Sequence, residues 1–180
     1  MKTLHQHITE RLILSKDKNK QYKLFPETKE ELLEMIKIEI GNNGNKCSLN
    51  HINVREITDM RRLFYGSSFI GDISKWDVSN VKYMEAMFMD SEFNGDISKW
   101  DVSNVKDMSR MFANSEFTGE NGDISNWDVS NVEDMMYMFD GSKFDCDISN
   151  WDVSNVETRK SFASNSPLAK NKLKYPRFKR

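Results

Sequence analysis

All four tryptophans of this 180-residue chain open the same hexapeptide, WDVSNV. Successive copies begin 24, 27 and 24 residues apart, at Trp76, Trp100, Trp127 and Trp151. A fixed period of this length indicates an array of similar units that stack to build a shared core. A step of 24 residues back from Trp76 reaches Ile52, where the apolar positions of the later units recur. The sequence therefore predicts five units, of which the first and the last are degenerate.

The repeat divides the chain into three parts of different charge. Residues 1–48 do not resemble the repeat, residues 49–166 hold the five units, and residues 167–180 form a C-terminal tail. The units carry 21 Asp and Glu against 11 Lys and Arg, whereas the tail carries six Lys and Arg and no acid. Because neutralising phosphate charge requires Lys and Arg, this balance disfavours nucleic-acid binding by the repeats and leaves it open for the tail.

Within one unit the spacing of apolar residues changes from two to three and four. Trp76 and Val78 share one face of an extended stretch, and Val81, Met84 and Phe88 then recur at helical steps. Two Asn–Asp pairs resemble the N-caps of such helices, namely Asn104 with Asp107 and Asn131 with Asp134. Each unit is thus predicted to be a strand, a turn, a short helix and a second turn, and the array to be an α/β repeat solenoid.

The repeat also carries a family resemblance. The spacing of Ile73, Trp76 and Val78 fits the apolar skeleton of a leucine-rich-repeat strand, and WDVSNVKDMSRMFANSEF with its NGDISKW return resembles the BspA-type leucine-rich repeats of bacterial surface proteins. The resemblance covers about residues 49–166. It implies a leucine-rich-repeat-like stack used for adhesion or protein binding, without catalytic residues. The short layout is similar to proteins of gut bacteria and their phages.

The N-terminal module is predicted to contain two helices, one near residues 4–14 and one within FPETKEELLEMIKIEIG. Thr28 and Glu31 have the spacing of a capping box, and Gly41 is predicted to end the second helix. Its apolar stripe consists of Leu32, Met35, Ile36 and Ile40. We interpret the module as a cap on the open end of the array; an independent effector or dimerisation domain is the alternative.

The chain shows no sign of export, membrane insertion or catalysis. No apolar run is long enough to span a bilayer and the N-terminal residues form no apolar block, so we expect a cytoplasmic protein. Cys47 and Cys146 are too few for a disulfide framework and are expected to be reduced. His5 and His7 lie on different faces of their predicted helix, and His51 is expected at the surface. We therefore expect no enzymatic activity, no metal site at these histidines and no cofactor.

A column of aspartates follows the tryptophans, and we call it the Asp column: Asp77, Asp101, Asp128 and Asp152. Stacked carboxylates repel one another, so their charge must be offset. We expect each to accept hydrogen bonds from backbone amides or from Ser and Asn side chains. A row of weak calcium sites is the alternative, because clustered carboxylate oxygens suit hard cations.

Positions that differ between the units indicate where a partner binds, because the invariant positions are explained by stacking. Exposed Tyr, Met and Arg are the residue types enriched at interfaces. We define the variable face by the nine candidates Arg61, Arg62, Tyr65, Tyr83, Glu85, Met89, Arg110, Met136 and Tyr137. The predicted function is non-enzymatic binding of a protein whose identity is unknown. If the chain is encoded by a phage, we expect that partner to be a host protein. A structural, virion-associated or adhesion role is the alternative.

The basic tail supports a second alternative, association with nucleic acid. Its six cations are Lys170, Lys172, Lys174, Arg177, Lys179 and Arg180, and Tyr175 and Phe178 lie among them. Charge together with base stacking could bind a nucleic acid. We instead expect the tail to contact protein, either its own acidic repeats or a partner, because those repeats attract the tail and repel a polyanion.

Overall fold

The computed structural model of the chain describes residues 24–179. The helix predicted near residues 4–14, together with His5 and His7, lies outside the described residues, as does Arg180. One α-helix is present in the described part: α1, Lys29–Asn43. Two short 3-10 helices, Pro167–Lys170 and Lys172–Lys174, lie in the tail.

The prediction of an α/β repeat solenoid with strand–turn–helix units is wrong. Between residues 49 and 166 the chain forms neither an α-helix nor a strand, and the described residues contain no sheet. Neighbouring units are instead linked by single parallel bridges, from Asp59 to Tyr83, Tyr83 to Asp107, Asp107 to Asp134 and Asp134 to Thr158. The units therefore stack in the register of the sequence repeat but consist of turns.

Consecutive turns explain why the apolar spacing resembled a helix. The amides of Trp76, Val81 and Met87 donate to the carbonyl oxygens three residues earlier, at distances of 2.9 to 3.2 Å. Each turn places an inward-facing side chain at both of its ends. A series of three-residue turns consequently repeats its apolar residues at almost the helical interval, without a continuous helical ladder.

Aspartate side chains fix several of these turns. The Ser79 amide and hydroxyl donate to Asp77 Oδ1 at 3.2 and 2.6 Å, and the Ser74 amide donates to Asp72 Oδ1 at 2.9 Å. Such bonds bend the backbone locally and compete with both helix and strand. The Asp-x-Ser pattern thus replaces regular secondary structure at two corners of the unit.

Two positions in every unit have left-handed backbone conformation. The first is Arg62, Ala86, Arg110, Tyr137 and Ser161, with φ between 51° and 59°. The second is Gly66, Asp90, Asn114, Gly141 and Asn165, with φ between 53° and 66°. A left-handed residue interrupts a right-handed helix. The predicted helix through Val81, Met84 and Phe88 therefore breaks at Ala86.

The predicted N-caps are wrong for a related reason. Asn104 Nδ2 donates to the Ser79 carbonyl oxygen at 2.8 Å, and Asn131 Nδ2 donates to the Ser103 carbonyl oxygen at 2.8 Å. These amides bind the preceding unit rather than the first turn of a helix. The same bond recurs at Asn80 and Asn155. The asparagine of WDVSNV is therefore a link between units.

Aromatic columns form the core of the stack. The rings of Phe64, Phe88, Phe112 and Phe139 follow one another with centroids 5.5 to 5.6 Å apart. All four tryptophans are at most 5% exposed, and each indole Nε1 donates to a backbone carbonyl of the preceding unit. The invariant aromatic residues thus supply both apolar burial and a directional bond between units.

Backbone bonds complete the connection between units. Every second amide of one segment donates to the next unit: Met60 to Tyr83, Arg62 to Glu85, Phe64 to Met87 and Gly66 to Met89, at 2.9 to 3.0 Å. The three following pairs of units repeat this pattern. The segment that carries the variable positions is therefore fixed by its backbone, which leaves its outward side chains unconstrained by stacking.

Helix α1 begins as predicted but ends later. The Glu31 amide donates to Thr28 Oγ1 at 3.2 Å, while Glu31 Oε2 accepts from the Glu27 amide at 2.9 Å instead of from Thr28. The helix continues through Gly41 to Asn43, and Gly44 follows with φ 81°. Its buried residues Leu32, Met35 and Ile36 join the same apolar cluster as the first unit. That the module caps the array remains a prediction.

The tail packs against the last unit. The Leu168 amide donates to the Phe144 carbonyl at 3.1 Å, and Leu168 is fully buried. The rings of Tyr175 and Phe178 meet the Phe162 ring edge-on, with centroids 5.4 and 5.1 Å away. Residues 167–178 consequently extend the apolar core.

Candidate functional site

The variable face is confined to one segment of each unit. Its nine residues occupy 61, 62, 65 and the equivalents of these positions in later units, with Tyr83 at the bridge position between units. Each side chain is exposed or half-exposed; Tyr65 reaches 50% and Tyr83 reaches 40%. Because these segments are hydrogen-bonded to one another, the nine side chains lie in one strip along the stack, which the buried Ala86, Ser109 and Ala113 interrupt.

Three arginine–tyrosine contacts order this strip. Arg61 lies over the Tyr83 ring, Arg62 over the Tyr65 ring and Arg110 over the Tyr137 ring, with guanidinium carbons 5.4, 5.7 and 5.1 Å from the ring centroids. Such cation–π stacking restricts the guanidinium plane and leaves its N–H groups available as donors. The variable face thus presents rigid aromatic groups beside oriented cations.

Arg61 is neutralised within the protein. Its Nε and Nη2 donate to both carboxylate oxygens of Asp59 at 2.7 to 3.1 Å, and Lys29 Nζ lies 3.4 Å from the same carboxylate. Partial burial acts to raise the pKa of Asp59, but the hydrogen bonds from Arg61 and the charge of Lys29 outweigh it and lower that pKa. Asp59 therefore stays ionised and holds Arg61 in place.

Arg62 and Arg110 differ from Arg61 in having no acidic partner. Within residues 24–179, no carboxylate lies within ion-pair distance of either guanidinium. Both residues occupy the same left-handed position, two units apart, with φ of 59° and 55°. Two oriented cations are therefore available to a ligand on this face.

Sequence comparison of the units missed one exposed apolar residue. Ile70 is 39% exposed, although it was not among the candidates. The equivalent position one period later holds the polar residue Asn94. An apolar residue at this position was therefore the feature of the sequence that could have identified Ile70. The pairing of Arg110 with Tyr137 was also invisible, because these residues belong to different units.

The Asp column accepts the hydrogen bonds that the sequence predicts. Asp101 and Asp128 each accept from the amide and hydroxyl of the serine two residues later, at 3.0 and 2.6 Å. The hydrogen bond from the serine hydroxyl lowers the pKa of Asp77, Asp128 and Asp152. Within the described part of the chain, no three His, Cys, Asp or Glu side chains are grouped so as to hold a metal ion.

A surface depression of about 540 Å³ surrounds Cys146. It is lined also by Asp123, Asp145 and Lys174. Burial, followed by the charge of Asp123, raises the pKa of the Cys146 thiol. A protonated thiol is a poor nucleophile.

His51, expected at the surface, is half-buried and lies 3.3 Å from a Glu39 oxygen on α1.

The tail divides its charged and aromatic residues between two roles. Lys174 Nζ donates to the Asp145 carbonyl and carboxylate at 2.7 and 3.1 Å, so this cation contacts the acidic repeats. Tyr175 and Phe178 pack on Phe162, which occupies the rings that base stacking would require. The exposed cations of the described tail are Lys170, Lys172, Arg177 and Lys179.

No helix among residues 24–179 has the length and apolarity to cross a membrane.

Comparison with known proteins identifies a family for most of the chain. Comparisons with curated proteins and with solved structures found no match. Residues 35–122 and 114–175 each match one family, which is associated with BspA-type repeat proteins. The chain belongs to the family described as "Mycoplasma protein of unknown function, DUF285".

Proposed function

We propose that this protein is a non-enzymatic binding module that recognises another protein through its variable face. The observation that carries the proposal is the strip of exposed and half-exposed tyrosine, methionine and arginine side chains, ordered by three cation–π contacts. Rigid aromatic and arginine side chains dominate the energetics of protein interfaces, because they bury large areas at a small cost in side-chain entropy.

The division of labour within the repeat supports this proposal. Stacking uses the inward aromatic columns and the backbone bonds, which do not depend on the outward side chains. Substitutions on the variable face therefore change recognition with little effect on folding. The same stack can thereby present different surfaces in different units, as repeat proteins that bind proteins do.

The proposal predicts a partner that depends on the exposed tyrosines. The full chain and its Tyr65→Ala/Tyr83→Ala variant are immobilised, and proteins captured from the cytoplasm of the source cell are quantified by mass spectrometry. The matched control is Lys75→Ala/Lys99→Ala, at exposed positions beside the tryptophans. We expect a protein captured by the parent and the control and lost at least tenfold with the tyrosine variant. Capture that is equal for all three chains would refute the proposal.

We also propose a more specific setting for this activity: a BspA-type repeat protein that works inside a cell, phage-encoded and directed at a host protein. The two free cysteines support a reducing compartment, because Cys47 precedes the array and Cys146 belongs to its fourth unit, too far away to pair with it. Localisation of the tagged protein by fractionation of its native cell tests this setting; recovery only from the medium or the cell surface would refute it.

A further inference from the structure

We propose that the variable face binds an extended acidic peptide segment of its partner, with Arg62 and Arg110 each receiving one carboxylate. This inference rests on the proposed protein-binding function and names the chemistry of the partner. It follows from three properties of the two arginines: their unused donors, their separation and the charge of their surroundings.

The guanidinium groups of Arg62 and Arg110 keep unused N–H donors because no carboxylate of the described residues pairs with them. Arg61 gives its donors to Asp59, but neither Arg62 nor Arg110 meets a carboxylate among the described residues. Their guanidinium groups are nevertheless held on tyrosine rings. A planar guanidinium fixed in this way forms paired, charge-assisted hydrogen bonds with a carboxylate, and it loses less entropy than a free side chain.

The separation of the two arginines fits an extended chain running along the stack. Backbones joined by parallel bridges lie about 4.8 Å apart, so equivalent positions two units apart are separated by about 10 Å. Arg110 stacks on Tyr137 of the following unit, which adds up to one further unit. Because an extended peptide rises about 3.3 Å per residue, the two acids of the partner lie three to five residues apart.

The two arginine positions carry positive charge although the repeats as a whole are acidic. Ala86 occupies the equivalent position in the unit between the two arginines. The position three residues later holds Tyr65, Met89 and Ala113 in the same three units. This column of equivalent positions therefore has two positive charges and no acid, whereas Glu85 lies in the adjacent column. An acidic peptide finds both cations and aromatic contact area here.

Acidic side chains around the strip favour a peptide over a nucleic acid. Glu85, which belongs to the variable face, and Asp90 lie beside the arginine column in the second unit. A polynucleotide places a phosphate at every residue and would bring several of them close to these carboxylates, whereas a peptide can place acids only where the arginines are. The two classes of ligand are separated by the experiment below.

The test is selection of random 12-residue peptides displayed on phage against the full chain. We expect enriched peptides with two Asp or Glu three to five residues apart. Their affinity should fall at least tenfold for Arg62→Gln/Arg110→Gln and stay unchanged for the charge-matched control Arg55→Gln/Lys99→Gln. Arg62→Lys/Arg110→Lys keeps the charge but loses the planar fork, and it should weaken binding about fivefold. Melting temperatures of all variants confirm that each is folded.

Every other outcome contradicts the inference in a distinguishable way. Peptides that depend on Tyr65 and Tyr83 but not on the arginines would overturn the inference and leave the proposed function standing. Peptides that depend on neither pair, or the absence of any enriched peptide, would overturn both. A 20-residue oligo-dT that binds the parent at moderate salt and not the Arg62→Gln/Arg110→Gln variant would replace the acidic peptide with a nucleic acid.

Discussion

Replacement of Trp100 by alanine tests the core of the stack. The side chain is 3% exposed, its ring stacks 6.5 Å from Trp76 and 6.2 Å from Phe88, and its Nε1 donates to the Ile73 carbonyl at 3.2 Å. Removing a buried large aromatic costs about 3–5 kcal/mol. The Ile73 carbonyl loses this donor but keeps the Trp76 amide, so we expect a value within that range and no further penalty for an unpaired carbonyl.

A second substitution separates the two contributions. Trp100→Phe keeps an aromatic ring in the column but removes the indole N–H, and it should cost about 1–3 kcal/mol. Both free energies come from urea unfolding followed by circular dichroism. The fluorescence of the three remaining tryptophans should change at the same urea concentration, because each unit is stabilised by its neighbours. A loss below about 1 kcal/mol for Trp100→Ala would refute a stacked aromatic core.

Calcium, acid and truncation test the remaining contacts. Millimolar calcium should leave the melting temperature almost unchanged, because the Asp column is already hydrogen-bonded; a rise abolished by Asp101→Asn would contradict this. The pKa of Asp128 is lowered in the folded state, so its stabilisation is complete above the unfolded value of about 3.8 and is lost as pH falls through the lower folded value. The melting temperature should be flat from pH 7 to 5 and fall below pH 4, less steeply in Ser130→Ala. Truncation after Ser166 removes buried Leu168 and the contacts of Phe178, and should lower stability by more than about 3 kcal/mol in urea unfolding; an unchanged midpoint would show that the tail is not part of the core.

The stacking register and the core were predictable from the sequence, because burial follows from invariance between units. The tryptophans and the repeat positions of Val81, Met84 and Phe88 are predicted to face inward, and Trp100 and Phe112 are buried as that prediction requires. The exposure of Tyr65 and Tyr83 was predictable from variation between units.

The local structure was not predictable from apolar spacing. Turns closed over three residues place apolar side chains at intervals that mimic a helix, and the left-handed positions hold residues as different as Arg62, Ala86 and Tyr137. The second left-handed position is marked by residue type in every unit, because Gly66, Asp90, Asn114, Gly141 and Asn165 are all of the types that adopt positive φ most readily. The sequence did contain a turn signal, because Asp-x-Ser stands at two corners of each of the four WDVSNV units.

The roles of the tail residues could not be read from composition. Tyr175 and Phe178 have the alternation with cations that is typical of a nucleic-acid contact, yet they cover Phe162. The degenerate last unit contained the explanation, since Ala163 stands where the other units have phenylalanine and the neighbouring ring, Phe162, meets the tail instead. The change from phenylalanine to alanine in the last unit therefore marks the place where the tail covers the core.

The claim that the units are stacked turns with a left-handed residue is tested most directly by the stability of Ser161→Gly. The sign of the change in its free energy of unfolding decides the question. Ser161 is half-exposed with φ 51°. Relief of left-handed strain, about 1–2 kcal/mol, exceeds the entropic cost of glycine, so Ser161→Gly should stabilise the protein by about 0.5–1 kcal/mol in urea unfolding.

The control is Gly41→Ala inside helix α1, where an added methyl group meets no atom within 4 Å and alanine should stabilise by about 0.5–1 kcal/mol. A gain for both variants is the result that stacked turns predict. If Ser161 were helical, glycine would instead destabilise by about 0.5 kcal/mol. Loss of stability in Ser161→Gly, measured beside a gain in Gly41→Ala, would contradict the turn architecture.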